Sequence, residues 1–233
     1  MLKYLEGTVF NIDAHALVNT VNCIGIMGAG IALEFKLRYP LMFEDYEAKC
    51  NQKQITTGNV YYYKNDDGKT IINFPTKWHF KYPSQLIWIE QGLQDFVKTY
   101  KQHGITSVAF PKLGTSNGGL HWEDVKRVME KYLSNLDIDV NICLDSVKEA
   151  EGIEKQMLDK FNLMSIIQLA DKVKLSSKQK EEIRSTMPYT RFWKIRETES
   201  IGIKTYSSMF KYFYNLASKI DEQKQLSIFE GID

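Results

Sequence analysis

The chain has 233 residues, of which 43% are hydrophobic and 25% are charged, and its formal net charge is +1. A chain of this length can bury one full core and still leave residues for a small accessory unit. The nearly balanced charge excludes recruitment to nucleic acid or to a membrane by overall charge, so any basic contact surface must be local.

Cysteine usage and hydropathy favour a cytoplasmic protein. Cys23, Cys50 and Cys143 fit neither a zinc spacing nor a disulfide framework, so we expect reduced thiols and no bound metal. No stretch approaches the ~20 apolar residues of a membrane span, and the residues after Met1 lack the apolar core of a signal peptide. We therefore expect a cytoplasmic protein without a membrane partner.

Short strands and helices alternate along the first part of the chain. The predicted strands lie at residues 3–10, 16–21, 59–63, 70–74, 107–110 and 139–144. Apolar side chains on one helical face predict helices around residues 86–100 and 122–133. This alternation predicts an α/β fold with a mixed or parallel sheet between helices and with ligands at the carboxyl ends of the strands.

The rest of the chain is predicted to be helical. Helices are expected around residues 149–161, 162–173, 177–186 and 203–219, and residues 151–219 carry more basic than acidic side chains. We therefore predict a domain at 1–146, a mainly helical appendage at 147–220 and a flexible tail at 221–233.

A first glycine-rich loop lies in residues 19–32, which run from a strand into a helix that continues to about Arg38. Small residues let backbone N–H groups approach an anion, and the start of the helix adds a partial positive charge that favours phosphate. A tight strand-to-helix turn would explain the glycines equally well. The spacing is neither that of a dinucleotide fingerprint nor that of a Walker loop.

A lysine follows the next predicted inner strand. Residues 73–79 leave that strand and place Lys77 beside an aromatic residue near the same sheet edge. A loop lysine is ordinarily just solvated. Partly desolvated beside a ligand, its amine can lose its proton and act as a nucleophile or a base.

A second glycine-rich loop, in residues 110–122, follows a strand that reads as buried and opens the next helix. Two such loops at strand ends predict a pyrophosphate that is held from both sides. Their coincidence is more informative than either loop alone.

These three segments resemble the macrodomain family, in the branch that contains the terminal ADP-ribose protein glycohydrolases and the DarG glycohydrolases. The matching residues are 18–22, 28–36, 75–77 and 118–122, and the resemblance covers about residues 1–145. It implies a macrodomain with a mixed central sheet between helices, recognition of ADP-ribose and hydrolysis of an ADP-ribosyl bond, with no cofactor.

The resemblance also implies roles for individual residues. Lys77 takes the position of the catalytic lysine, and Asn22 would orient or polarise the distal ribose. The implied ADP-ribose-binding residues are Asn19, Gly28, Ala29, Gly30, Ile31, Thr76, Leu113, Gly114, Thr115, Ser116, Asn117, Gly118, Gly119 and Leu120. His79 and His121 are possible proton carriers, but we leave them out of the catalytic set because isolated histidines are more often structural or exposed.

Three apolar side chains next to these motifs have two readings. Met27 and Phe35 could line the nucleotide pocket, but apolar residues at a helix start are more often part of the core. For Trp122 we favour core packing.

Gly118 bears on the substrate. The protein-directed glycohydrolases have an aspartate in the second loop where this chain has Gly118, whereas the Gly-Gly pair resembles the DarG type, which removes ADP-ribose from thymidine in DNA. We expect an ADP-ribosyl glycohydrolase acting on ADP-ribosylated DNA, with an antitoxin role against a DNA ADP-ribosyltransferase toxin as a further expectation. Hydrolysis of ADP-ribosyl-glutamate on proteins and non-catalytic reading of ADP-ribose remain open alternatives.

The chemistry of bond cleavage leaves two roles for Lys77. Breaking the bond at the anomeric carbon builds positive charge on the sugar, so the site must fix the ribose and help the leaving group depart. Lys77 can act as a base or attack that carbon and form a Schiff base that water later releases. We favour the nucleophile.

Two further segments suggest macromolecular contacts. Residues 188–196 interleave aromatic and basic side chains, which suits phosphates and bases, although packing on the macrodomain with solvated charges is the alternative that we favour. Gln225-Leu226-Ser227-Ile228-Phe229 resembles the peptide by which bacterial DNA-processing proteins dock on the sliding clamp, with a polar disordered tail as its alternative.

Overall fold

A computed structural model describes the backbone of residues 1–230 and the side chains of residues 1–218. The chain divides into two compact units, unit 1 (Met1–Ser146) and unit 2 (Val147–Asp233). In the part of the chain that is described, no helix is both long and apolar enough to cross a membrane.

Unit 1 is built around one sheet. Its strands are β1 (Leu2–Leu5), β2 (Ala16–Val21), β3 (Tyr61–Lys64), β4 (Thr70–Pro75), β5 (Ser107–Pro111) and β6 (Asp139–Cys143). Their order is β1-β6-β5-β2-β4-β3, and every neighbouring pair is parallel except β3 with β4. The predicted mixed sheet is confirmed.

Four helices cover the sheet. They are α1 (Gly30–Arg38), α2 (Pro40–Asn51), α3 (Leu86–Thr99) and α4 (Trp122–Leu133). Alternate strand residues enter two separate cores, since Val18 belongs to the cluster of α3 and α4 whereas Leu17 belongs to the cluster of α1 and α2. The inner strands are buried on both faces, which is why they read as nearly continuous apolar runs.

Several boundaries differ from the sequence prediction. β1 ends at Leu5, and residues 9–11, which were predicted to belong to the same strand, form a short 3-10 turn in which the side chain of Val9 is buried. The helix α2 was not predicted, although it begins with Pro40 at its first position and buries Met42 and Tyr46 at helical spacing. Met27 and Phe35 are buried in the core. Of their two interpretations, core packing is therefore the one that the structure supports, rather than lining of the ligand pocket.

Trp122 has the predicted packing role. Its ring meets Tyr4 edge to face, with 6.5 Å between the ring centroids, and it packs against the core cluster of α3 and α4. The aromatic pair therefore connects the start of α4 to β1.

Unit 2 is helical, as expected. It contains α5 (Gly152–Leu163), α6 (Ile166–Lys172), α7 (Ser177–Thr186) and α8 (Ile203–Glu230). Ser165 and Ser176 begin α6 and α7 with reciprocal capping boxes, which satisfy backbone N–H groups at the helix starts.

The segment 188–196 packs inside unit 2. Phe192 is buried against Phe161. Arg191 is 4% exposed, and its guanidinium lies 3.0 Å from the Glu154 carboxylate and also donates to the Val147 carbonyl. The less favoured interpretation, that this segment is available for stacking and phosphate contact, is therefore wrong for Arg191 and Phe192. The favoured interpretation of a packed segment with solvated charges fails at Arg191, whose charge is buried and paired. The clamp-like sequence Gln225 to Phe229 lies outside the residues whose side chains are described.

Candidate functional site

Three loops leave neighbouring parallel strands at the same edge of the sheet. Loop 1 (residues 22–29) follows β2, the lysine loop (residues 76–85) follows β4, and loop 2 (residues 112–121) follows β5. β2 lies between the other two strands, so the carboxyl ends of all three meet at one place. This is the edge at which parallel sheets commonly bind ligands.

Loop 1 is organised by Asn22. Its side-chain oxygen accepts the backbone N–H of Ile24 (3.0 Å) and of Ile26 (3.3 Å), and its amide nitrogen donates to the Ile26 carbonyl (2.6 Å). The buried Tyr46 hydroxyl donates to the Asn22 carbonyl at 2.6 Å. Asn22 therefore fixes the loop backbone, and its predicted contact with the distal ribose remains a prediction.

Asn19 supports the loop from inside the sheet. It is fully buried, and its amide nitrogen donates to Asn73 Oδ1 on β4 (2.9 Å) and lies 3.7 Å from Met27 Sδ. These contacts connect β2, β4 and loop 1. A direct contact of Asn19 with ADP-ribose also remains a prediction.

The backbone around Lys77 is held by loop 1. The N–H of Cys23 donates to the Trp78 carbonyl (3.1 Å), and the Cys23 thiol donates to the Lys77 carbonyl (3.4 Å). Burial raises the pKa of the Cys23 thiol to about 11, so this group stays protonated and is a donor rather than a nucleophile.

The Lys77 side chain points across to loop 2. Its Nζ donates to the carbonyl oxygen of Asn117. Partial burial lowers the pKa of the amine, because the charged form loses hydration without a facing carboxylate to replace it. The neutral amine required for nucleophilic or basic chemistry is therefore more populated than in an exposed lysine.

Asn117 also approaches loop 1. A Cβ placed on Gly30, which has a φ of +57°, would lie 2.8 Å from Asn117 Nδ2. Gly30 thus leaves room for Asn117 and adopts a backbone conformation that glycine tolerates best. The first residue of α1, the lysine loop and loop 2 therefore meet here, at Gly30, Lys77 and Asn117.

Loop 2 is closely packed at Gly118. A Cβ at this position would lie 2.0 Å from the Gly114 carbonyl oxygen and 2.4 Å from Ser84 Oγ. The Gly118 carbonyl accepts the backbone N–H of Ser84 at 2.9 Å, so loop 2 is also tied to the lysine loop. No residue with a side chain, aspartate included, fits here without rebuilding the loop.

Ser84 was missed by the sequence analysis. It is 5% exposed, and its buried hydroxyl, directly beside Gly118, has no hydrogen-bond partner among the residues whose side chains are described. Such groups are rare in folded proteins and are costly unless a water or a ligand satisfies them. A serine in a loop gives no sequence signal for this position.

The predicted binding residues differ in exposure. Asn19, Thr76, Leu113, Gly114 and Gly118 are buried. The others reach the surface, fully or in part, and these are Gly28, Ala29, Gly30, Ile31, Thr115, Ser116, Asn117, Gly119 and Leu120. The first group supports the loops. In the second group, the N–H groups of Gly119 and Leu120 already donate to the Thr115 and Gly114 carbonyls, at 2.9 and 3.1 Å, so these two residues shape loop 2.

The loops and their flanking strands are free of acidic side chains. Residues 14–33, 68–89 and 96–122 contain neither Asp nor Glu, whereas the loops contain Lys77, Lys81 and Lys112. The site therefore suits a ligand with several negative charges. These three segments also supply no carboxylate for acid–base catalysis.

Comparisons with known proteins agree with this geometry. Residues 18–129 match the sequence model of the Macro domain family. The DNA ADP-ribosyl glycohydrolase of Mycobacterium tuberculosis is 44% identical over 160 residues, which are 66% of this chain and 46% of the relative. This chain thus spans about half the length of the curated relative that it matches.

Solved structures share the fold. The macrodomain of Mycobacterium tuberculosis DarG is 46% identical, with a TM-score of 0.59 over 61% of this chain and 97% of that one. Thermosipho africanus DarTG in complex with ADP-ribose is 34% identical, with a TM-score of 0.60 over 66% of this chain and 44% of that one. The same organism has a DNA ADP-ribosyl transferase-DNA ADP-ribosyl glycohydrolase fusion protein that is 34% identical over 182 residues, 70% of this chain and 46% of the relative. The chain belongs to the macrodomain family, in the branch that contains the DarG macrodomains.

Proposed function

We propose that this protein removes ADP-ribose from DNA by hydrolysing the bond between the distal ribose and a thymine base. The observation that carries the proposal is Lys77, a half-buried amine with a lowered pKa at the meeting point of three loops that contain no carboxylate. The DNA-directed activity named for the Mycobacterium tuberculosis relative supports the choice of substrate.

Loops 1 and 2 are proposed to bind the pyrophosphate of ADP-ribose. Both are glycine-rich, and loop 1 leads directly into α1, whose first N–H groups lack helical partners. Binding by backbone N–H groups does not depend on Lys77. The ADP-ribose complex of Thermosipho africanus DarTG, a protein of the same family, supports this ligand.

Lys77 is proposed to be the nucleophile. The neutral amine attacks the anomeric carbon of the distal ribose, the carbon–base bond breaks, and the base takes its electron pair and one proton from the attacking nitrogen. The sugar ring then opens to an imine, and the second proton of the nitrogen goes to the former ring oxygen, which becomes a hydroxyl. Water adds to the imine carbon, and ADP-ribose and the free amine are released.

Gly118 argues against the protein-directed alternative. A carboxylate at this position would need a Cβ, and the Gly114 carbonyl and Ser84 already occupy that space. A mechanism that pairs the lysine with an aspartate of loop 2 is therefore not available to this backbone. Hydrolysis of ADP-ribosyl-glutamate would have to proceed without it.

We also propose that the protein acts as an antitoxin to a DNA ADP-ribosyltransferase in the cytoplasm. The support is the Thermosipho africanus relative, whose name joins a DNA ADP-ribosyl transferase to a DNA ADP-ribosyl glycohydrolase in one chain. An enzyme that modifies thymidine would supply the substrate that this site consumes.

The experiment that tests the activity compares the wild type with Lys77→Ala on thymidine-ADP-ribosylated DNA and on glutamate-ADP-ribosylated protein. We expect ADP-ribose release from DNA to fall by about 100-fold or more in the variant, as for loss of a reacting side chain. ADP-ribose binding, measured by calorimetry, should be retained because the loops supply the phosphate contacts. The matched control is Lys64→Ala, since Lys64 is exposed at the end of β3, which runs antiparallel to β4 and so ends at the opposite sheet edge.

Each other result has a distinct meaning. Undiminished release by Lys77→Ala would refute a catalytic role for this residue. Release from protein alone would assign the protein-directed activity, and binding without release would favour a reader. Reduction with borohydride during turnover should trap ADP-ribose on Lys77 if the imine forms, and mass spectrometry would locate it.

A further inference from the structure

The lysine loop exposes a group of aromatic side chains next to Lys77. Trp78, Phe80 and Tyr82 are 57%, 46% and 57% exposed, although large aromatic side chains are usually buried for much of their surface. We call residues 78–82 the aromatic ledge. Three large exposed rings within five residues mark a contact surface rather than scattered exposure.

The ledge is held in a defined conformation. The carbonyl of Trp78 accepts the N–H of Cys23 at 3.1 Å, and the N–H of Tyr82 donates to the His79 carbonyl at 3.1 Å. The N–H of Lys81 donates to His79 Nδ1 at 3.1 Å, and just beyond the ledge Ser84 is tied to Gly118. The rings are therefore presented by a loop that is fixed at both ends.

The rings are oriented for stacking on flat groups. Trp78 and Tyr82 are nearly parallel, with an interplanar angle of 11° and 6.4 Å between their centroids. The His79 ring lies 4.6 Å from Phe80 at an angle of 24° but is tilted by 38° from Trp78 and by 48° from Tyr82, so the shared orientation belongs to Trp78 and Tyr82. Two aromatic faces that share one orientation can stack on nucleic-acid bases, whatever the sequence of those bases.

The charge around the ledge matches a polyanion. Lys81 lies within the ledge, Lys77 precedes it, and the surrounding segment 68–89 has no acidic residue. Basic side chains interleaved with exposed aromatic rings are typical of surfaces that bind single-stranded nucleic acid. An apolar peptide would not need the lysines, and an acidic peptide would not need three exposed rings.

From this geometry we infer that the aromatic ledge binds the nucleotides that flank the ADP-ribosylated thymidine in single-stranded DNA. The inference rests on the proposed function and adds a positioning surface to it. Trp78 follows Lys77 directly, so its Cα lies ~3.8 Å from that of Lys77, and the ledge begins beside the proposed nucleophile. Bases stacked on the ledge would hold the strand while loops 1 and 2 hold the ADP-ribose.

The test compares two substrates that differ only in the flanking strand. One is ADP-ribosyl-thymidine as a single nucleoside, and the other is the same group within a single-stranded oligonucleotide. In Trp78→Ala and in Tyr82→Ala, we expect the ratio of kcat/KM for the oligonucleotide to that for the nucleoside to fall about tenfold, as expected for loss of one stacked base. Trp78→Phe should restore most of the ratio, and Leu41→Ala, at an exposed apolar residue of α2, is the control.

Binding of an unmodified labelled oligonucleotide separates this inference from the proposed function. By fluorescence anisotropy at low salt, the wild type should bind more tightly than Trp78→Ala or Tyr82→Ala, and added salt should weaken binding. If the wild type hydrolyses neither substrate, the proposed function fails. The binding measurement then decides by itself whether the aromatic ledge binds single-stranded DNA.

Three outcomes would overturn the inference. The first is an unchanged ratio of the two kcat/KM values in both alanine variants. The second is binding of the unmodified oligonucleotide by both alanine variants that is as tight as binding by the wild type. The third is loss of turnover only on a glutamate-ADP-ribosylated peptide, which would assign the ledge to a protein substrate.

Discussion

At the scale of single residues, the site depends on how Lys77 is desolvated. Its amine is partly buried and donates to a carbonyl oxygen, a neutral partner that stabilises the ammonium form less than a carboxylate would. Because residues 14–33, 68–89 and 96–122 contain no acidic side chain, nothing on these three segments raises the pKa again. The absence of carboxylates suits a pyrophosphate, and it leaves the lowering of the Lys77 pKa by desolvation unopposed on these segments.

This environment predicts the pH dependence of catalysis. If Lys77 acts as a nucleophile or a base, kcat/KM rises with pH as the amine deprotonates, and the midpoint of the rise lies below pH ~10.4, the usual pKa of lysine. The rise has this sign because only the neutral amine reacts, and its midpoint moves to lower pH because burial lowers the pKa of Lys77. A pH–rate profile of ADP-ribose release from DNA measures it. A rate that falls with rising pH through the same range would mean that the cation is the active form.

Part of this site can be predicted from the sequence, and the rest cannot. The glycines of both loops and Lys77 stand at strand ends and can be predicted. Three features depend on distances between segments that are far apart in the chain. They are the role of Asn22 in fixing loop 1, the buried hydroxyl of Ser84 that lacks a partner, and the close approach of the Gly114 carbonyl and Ser84 to Gly118. A single sequence does not contain those distances.

At the scale of elements, α3 packs unusually close to the sheet. A Cβ on Gly92 would lie 2.4 Å from Cζ of Phe74 on β4. Gly92 therefore allows the helix to rest directly on the ring that precedes the lysine loop. The position of Lys77 depends on this contact because Phe74 precedes Lys77 by only three residues.

This packing predicts that Gly92→Ala destabilises the fold. Alanine is the better helix former by about 1 kcal/mol, but Phe74 is fully buried and has no free space into which it can move. Overpacking of this kind costs about 1–3 kcal/mol, so we expect a net loss and a lower Tm. Thermal unfolding should show it, with Gly202→Ala as the control, since a Cβ there meets nothing within 4 Å. A Tm at or above that of the wild type would contradict the packing argument.

Element boundaries were predictable where the pattern is strong. β2 (Ala16–Val21) and α7 (Ser177–Thr186) agree with the prediction at both ends. α2 was missed because its buried residues, among them Met42 and Tyr46, alternate with acidic and basic side chains in a weakly amphipathic pattern. The 3-10 turn after β1 was read as strand because Val9 and Phe10 have the same composition as a strand end.

At the scale of the whole molecule, the residues proposed to act on ADP-ribose all belong to unit 1. Loop 1, the lysine loop and loop 2 lie between residues 22 and 121, and the last strand of the sheet, β6, ends at Cys143. The N–H of Ser146 donates to the Glu6 carbonyl at 2.8 Å, so the end of unit 1 is itself tied to the sheet. Unit 2 has its own core around Phe161, Phe192 and Phe213.

We therefore predict that a chain ending at Ser146 binds ADP-ribose and releases it from the single nucleoside within about threefold of the full chain, as expected for a domain with its own core. Calorimetry and the release assay measure the two quantities. Loss of both activities in a folded truncated chain would show that unit 2 contributes to the site. If only turnover of longer DNA strands falls, and if added salt removes the difference, then the basic side chains of unit 2 contact the strand beyond the aromatic ledge.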